Sequence, residues 1–84
     1  MQPDMEDRIR QIMADILNVA PEDIEGSTGM DNVGSWDSLK HLNLCLALEQ
    51  EFGITLEVNE IESMLTYAEI LEVMQRKIAH SGGR

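Results

Sequence analysis

The sequence predicts an all-α fold, a small four-helix bundle with three longer helices, one short helix and a long first loop. Three observations predict it. Apolar residues recur at helical spacing near both ends, a central apolar run lies between a turn cluster and a glycine, and the one strand-like stretch has no partner. The chain has 84 residues, 43% of them hydrophobic, which is enough to form one small hydrophobic core. We expect a single domain over residues 1–79 and a flexible tail at 80–84.

The first helix is predicted at about residues 4 to 18. Acidic residues at 4, 6 and 7 favour the positive end of its dipole, and Pro21 follows its end. Its apolar stripe consists of Met5, Ile9, Ile12, Met13, Ile16 and Leu17.

Residues 21–37 show no sustained period and are rich in Gly, Ser, Asp and Asn, which predicts a long loop. Loops of more than about 12 residues inside a compact domain are uncommon and often functional. Ile24, Met30 and Val33 are predicted to pin this loop to the core.

The second helix is predicted to start at Asp37 and Ser38, whose side chains can both accept bonds from free backbone N–H groups. It runs through Phe52 and stops at Gly53. Residues 44–48 are apolar on all sides, as expected for a helix that is touched by several neighbours. A separate row that the bundle need not cover is formed by Leu39, Leu42 and Leu46.

The rest of the chain predicts a connector and two further helices. Residues 54–58 alternate like a strand but have no partner, so we expect an extended connector, followed by a short helical turn at 59–64. Thr66 and Glu69 fit a capping box, which predicts a last helix at about 67–79.

A formal net charge of −10 disfavours binding to nucleic acid and to anionic membranes and favours partners with basic patches. No apolar run approaches the roughly 20 residues needed to cross a bilayer, and the first residues lack a signal-peptide pattern. We therefore expect a cytoplasmic protein. Cys45 is the only cysteine and lies in an apolar run, which predicts a buried thiol without catalytic reactivity.

The sequence disfavours a hydrolytic site and a metal site. Asp37, Ser38 and His41 are the residue types of a hydrolase, but so small a bundle has little volume for a substrate pocket, and His41 is expected to lie exposed on the helix surface. Metal binding is not expected, because the two histidines are 39 residues apart and no calcium-loop spacing occurs.

The tripeptide DSL at 37–39, followed by a helix that ends ALEQEFGI at 47–54, resembles the acyl carrier protein family. The segments VAPEDI at 19–24 and LTYAEILEVM at 65–74 extend the resemblance over nearly the whole domain. It implies that a phosphopantetheinyl transferase attaches 4′-phosphopantetheine from coenzyme A to Ser38. The thiol of this arm would hold an acyl group as a thioester, so the protein would be a carrier and not an enzyme.

The same resemblance implies how partners are recognised. Asp37 and Leu39 would contact the transferase and partner enzymes, and Leu42 and Leu46 would form an exposed docking surface. Glu49 would help to steer basic partners.

Two departures from the family pattern adjoin Ser38. Lys40 and His41 stand where acidic residues are common, and Trp36 with Ser35 stands where a small Gly-containing pair is common. They suggest a dedicated partner in a specialised pathway, with Lys40, His41 and Trp36 as recognition residues. Trp36 is alternatively expected to pack the end of the loop onto the second helix.

The cargo stays open between a fatty acyl group, a polyketide building block and an amino acid loaded by an adenylating ligase. The DSL context favours an acyl cargo, because it differs from the GGxS-type sequence common in peptidyl carriers. We expect a monomer that meets a loading ligase and acyl-transferring enzymes. The alternative from another class is a regulatory scaffold that keeps this fold and binds its partner without being modified.

Overall fold

The computed structural model describes residues 5–82, and the side chains of residues 5–79. Its helices are α1 (Met5–Leu17), a 3₁₀ turn (Pro21–Asp23), α2 (Ser38–Phe52), α3 (Val58–Ser63) and α4 (Tyr67–Gly82). Within this part of the chain the one β interaction is an isolated bridge between Gly29 and Thr66. The predicted all-α fold of three longer helices and one short helix is therefore confirmed.

α1 and α2 each end at a residue in the left-handed conformation. Asn18 follows α1 with a φ of 60°, and Gly53 follows α2 with a φ of 64°. In both cases the next N–H reaches back to the last turn: Val19 donates to Ala14 at 3.2 Å, and Ile54 donates to Glu49 at 3.2 Å. This arrangement satisfies carbonyl groups that the helix end would otherwise leave unpaired.

α4 extends three residues beyond the predicted end at residue 79. No proline or glycine precedes Gly82 to stop it, so the helical backbone continues through part of the segment that was predicted as a flexible tail. Residues 83 and 84 lie outside the described residues.

The starts of α3 and α4 are both capped, in different ways. Thr66 Oγ1 accepts a bond from the Glu69 N–H at 3.2 Å, as predicted, but the Glu69 carboxylate accepts the Thr66 hydroxyl and not its backbone N–H. At α3 the Glu57 N–H donates to Glu60 Oε1 at 2.9 Å. This bond, together with Lys77 at 3.1 Å, holds the pKa of the Glu60 carboxyl below its ordinary value.

Loop 1, residues 18–37, is tied to the start of α4. The Tyr67 N–H donates to the Thr28 carbonyl at 2.8 Å, and the Met30 N–H donates to the Leu65 carbonyl at 3.1 Å. Three apolar side chains of the loop pack on the core as predicted, with Ile24 buried and Met30 and Val33 partly buried. A long loop is thereby held in one path across the domain.

α1 and α2 run antiparallel. Arg8 near the start of α1 pairs with Glu51 near the end of α2. At the opposite end, the Ser35 hydroxyl donates to the Leu17 carbonyl at 2.7 Å. These two contacts place the start of α2 beside the end of α1.

Gly29 provides a test of the attachment between loop 1 and α4. A Cβ at this position would lie 2.6 Å from the Leu65 carbonyl oxygen and 2.9 Å from Thr66 Cγ2. Because the first of these atoms belongs to the backbone, we expect Gly29→Ala to lower the free energy of unfolding by about 1–3 kcal/mol, measured by urea denaturation. Gly34→Ala is the matched control, since nothing lies within 4 Å of its Cβ. Equal effects of the two substitutions would contradict the attachment.

Candidate functional site at the start of the second helix

Asp37 caps α2. Its backbone is extended, with φ −101° and ψ −173°, and its Oδ1 accepts a bond from the Lys40 N–H at 2.9 Å. The Asp37 carbonyl accepts the first bond of the helix, from His41 at 2.8 Å. The prediction that Asp37 begins this helix is confirmed.

Ser38 is the first residue inside α2 and is exposed. Of the two side chains that could cap the helix, that of Asp37 does so, and the Ser38 hydroxyl makes no hydrogen bond to the described residues. The N–H groups of Ser38 and Leu39 belong to the first turn and have no partner within the helix. An unengaged hydroxyl therefore lies at the positive end of a helix dipole.

Beneath this turn, Trp36 and His41 form a buried polar contact. The two residues are 2% and 7% exposed. Trp36 Nε1 donates to His41 Nδ1 at 3.0 Å, and the ring centroids are 5.9 Å apart. The other ring nitrogen of His41, Nε2, lies 2.8 Å from the carbonyl oxygen of Ile61 in α3.

The prediction that His41 lies exposed is therefore wrong. His41 shares a helix face with Leu44, Cys45 and Leu48, at spacings of three, four and seven residues, so the helical period itself indicated its burial. Trp36 packs the end of loop 1 onto α2, as the alternative interpretation expected. Neither side chain presents an accessible surface to a partner.

The row on α2 is exposed as predicted, with Leu39 at 66%, Leu42 at 53% and Leu46 at 54%. Val58, at the first position of α3, is 71% exposed and was not identified from the sequence, where it belonged to a strand-like stretch. The α2 row places three large exposed apolar side chains on one helix face, which is typical of an interaction site.

The two charged residues predicted beside this row differ in availability. Lys40 is partly exposed. Glu49 is exposed to a similar degree, but its Oε2 accepts a bond from the Leu56 N–H at 2.7 Å, which fixes the connector after α2. Its carboxylate therefore has a structural function in addition to any steering of partners.

The structure does not support a hydrolytic site. Both ring nitrogens of His41 are engaged with Trp36 and Ile61, so His41 has no nitrogen left to accept the Ser38 proton. Among the described residues no group of three or more His, Cys, Asp or Glu is arranged to hold a metal ion. In the same part of the chain no helix combines the length and apolarity that crossing a membrane requires.

Comparisons with known proteins show which proteins this chain resembles. The family model described as "Phosphopantetheine attachment site" matches residues 7–74. The acyl carrier protein of Thermosynechococcus vestitus is 31% identical over 78 residues, covering 93% of this chain and 96% of that protein. That of Sinorhizobium fredii is 31% identical over 74 residues, covering 87% and 94%. The solution structure of a holo acyl carrier protein from Geobacter metallireducens has the same fold, with a TM-score of 0.81 and 21% identity over 90% of this chain and 87% of that one.

The cap at the start of α2 can be tested by substitution. Asp37→Ala removes the acceptor of the Lys40 N–H, and we expect a loss of about 1 kcal/mol in the free energy of unfolding. Asp37→Ser is the control, because a serine oxygen accepts the same bond and is expected to restore most of the loss. Chemical denaturation measures both, and equal losses for Ala and Ser would contradict the role of this bond.

Cys45 is expected to react slowly in the folded protein. Burial, followed by the charge of Glu49, raises the pKa of its thiol from 9.0 to about 11. At pH 8 the thiolate is then about 100-fold scarcer than in the unfolded chain, so alkylation should slow by at least that factor. Mass spectrometry after iodoacetamide treatment, with and without denaturant, measures the rates, and comparable rates in both would contradict the burial.

Proposed function

Since the chain belongs to the phosphopantetheine-dependent acyl carrier protein family, we propose that it carries acyl groups as thioesters on a 4′-phosphopantetheine arm attached to Ser38. Proteins of this family are non-catalytic carriers that bear this prosthetic group and meet a phosphopantetheinyl transferase and acyl-handling enzymes. The observation that supports Ser38 most directly is its exposed, unengaged hydroxyl as the first residue of α2.

The residues around Ser38 fit a phosphodiester. Its negative charge is favoured at the amino end of α2, where the Ser38 and Leu39 N–H groups have no helical partner. The Asp37 carboxylate is turned toward the Lys40 N–H, which leaves the Ser38 hydroxyl accessible to a transferase. When bound, the prosthetic group supplies the thiol that forms the thioester.

The protein itself supplies presentation and docking. The exposed side chains of Leu39, Leu42 and Leu46 form an apolar row that continues from Ser38 along α2. A partner that covers this row would bury apolar surface and would be placed over Ser38. Lys40 and Asp37 contribute charges of opposite sign at the same end, where they would fix the partner's orientation.

The cargo and pathway are part of the proposal. We assign an acyl intermediate of a specialised fatty-acid, polyketide or related pathway, handled in the cytoplasm by a monomeric carrier. Lys40 supports a dedicated partner, because a cation next to the Ser-Leu pair differs from the common acidic pattern of the family. The competing assignments are an aminoacyl or peptidyl carrier, loaded by an adenylating ligase, and an unmodified scaffold.

Intact-mass measurement tests the attachment. Unmodified protein is incubated with a broad-specificity phosphopantetheinyl transferase, Mg²⁺ and coenzyme A, and is expected to gain the mass of one phosphopantetheine. Ser38→Ala should gain nothing. Ser27→Ala is the matched control, because Ser27 is an exposed serine of loop 1 and its removal should leave the gain intact.

No gain by folded wild-type protein would overturn the carrier assignment and favour the scaffold. A gain by Ser38→Ala would place the arm on another residue. With modified protein in hand, loading by acyl ligases and by amino-acid adenylating enzymes distinguishes the two cargo classes.

A further inference from the structure

The buried contact between Trp36 and His41 is not explained by the carrier function described above. Among the described residues, His41 and Thr28 are the two buried side chains of polar or charged type. Burying an imidazole costs free energy unless its nitrogens are hydrogen-bonded. In this protein both nitrogens are bonded, and the two partners lie in different segments of the fold.

The bonding pattern fixes the protonation of His41. An indole N–H can only donate, so His41 Nδ1 must accept from Trp36. A neutral imidazole then carries its proton on Nε2, which donates to the Ile61 carbonyl at 2.8 Å. We name this set, the Trp36 indole, the His41 imidazole and the Ile61 carbonyl, the clasp.

The clasp joins three segments around Ser38. Trp36 lies near the end of loop 1, two residues before Ser38, His41 lies three residues after Ser38 on α2, and Ile61 belongs to α3. The first turn of α2 is thereby fixed on one side to the loop and on the other to α3. Both ring-bearing residues, Trp36 and His41, are almost fully buried.

We propose that Trp36 and His41 are positioning residues for the attachment of phosphopantetheine to Ser38, an inference that rests on the proposed function. They act without touching Ser38. They hold the end of loop 1 and α3 in one arrangement about it, so the transferase meets a preformed surface and pays no ordering cost on binding. Loss of the clasp should therefore weaken recognition of the carrier, while the chemical step at the hydroxyl is unchanged.

Four variants separate the two bonds. Trp36→Phe keeps an aromatic ring and removes the donor. His41→Asn keeps an acceptor near the Nδ1 position, and His41→Gln keeps a donor near the Nε2 position. His41→Leu keeps bulk and removes both bonds.

Transferase kinetics with the carrier as the varied substrate provide the measurement. Loss of one bond should raise KM about fivefold with kcat unchanged, and His41→Leu should raise it further. Trp36→Phe should add nothing in the His41→Gln background, because both remove the same bond. Gln11→Ala, an exposed position on α1, is the control for substitution as such.

All variants are compared at a temperature where circular dichroism shows them folded. If the clasp only stabilises the fold, unfolding midpoints fall while KM of the folded variants stays at the wild-type value, and the proposal is overturned. It is also overturned if Asn and Gln at position 41 are no better than Leu.

The state of His41 is measured independently of modification. The ¹⁵N spectrum of the imidazole should show a protonated Nε2 and an unprotonated Nδ1, and the opposite tautomer or an imidazolium at neutral pH would contradict the clasp. Failure of the proposed function has a different signature: wild-type protein would gain no phosphopantetheine while the spectrum still showed the Nε2–H tautomer.

Discussion

The structure depends on how a loop of twenty residues is held between α1 and α2. A segment of this length has many backbone groups that no regular helix satisfies, and they must find partners elsewhere. The bonds from Tyr67 to Thr28 and from Met30 to Leu65 supply them at the start of α4, and the Ser35 hydroxyl attaches the end of the loop to the Leu17 carbonyl, at the end of α1. With its middle and its end fixed in this way, the loop brings Asp37 to the point where α2 can begin.

The start of α2 combines two requirements that are usually in conflict. Under the proposed function Ser38 has to be accessible, while the turn that carries it has to be rigid. The outer side of the turn is open, with Ser38 and Leu39 exposed, and the inner side rests on the nearly inaccessible rings of Trp36 and His41. Because Asp37 caps the start of α2, the Ser38 hydroxyl is not used as a helix cap. Rigidity therefore comes from neighbours, and the Ser38 hydroxyl stays accessible for the proposed attachment.

The sequence predicted the features that arise from short-range spacing. The apolar stripe of α1, the stop at Gly53 and the cap at Asp37 all follow from residues within a few positions of one another, and the exposed row on α2 follows from the helical period. The bond between His41 and the Ile61 carbonyl joins residues 20 positions apart and uses a backbone group that has no sequence signature. The bond from the Leu56 N–H to Glu49 also uses a backbone group without a sequence signature. The sequence therefore indicated only a steering role for Glu49.

Charge and apolar surface are distributed unevenly, and this bears on how a partner would approach. The chain carries a net charge of −10, yet the first turn of α2 contains no acidic residue, and Asp37 and Lys40 oppose each other beside it. A partner farther away than a Debye length, about 8 Å at physiological salt, is largely screened from these charges, and on closer approach it first senses the overall negative charge. On contact it would meet leucine side chains and a nearly neutral local charge. The overall field thus favours basic partners during encounter, whereas under the proposed function selection among them at Ser38 would depend on apolar shape and on a group that complements Lys40.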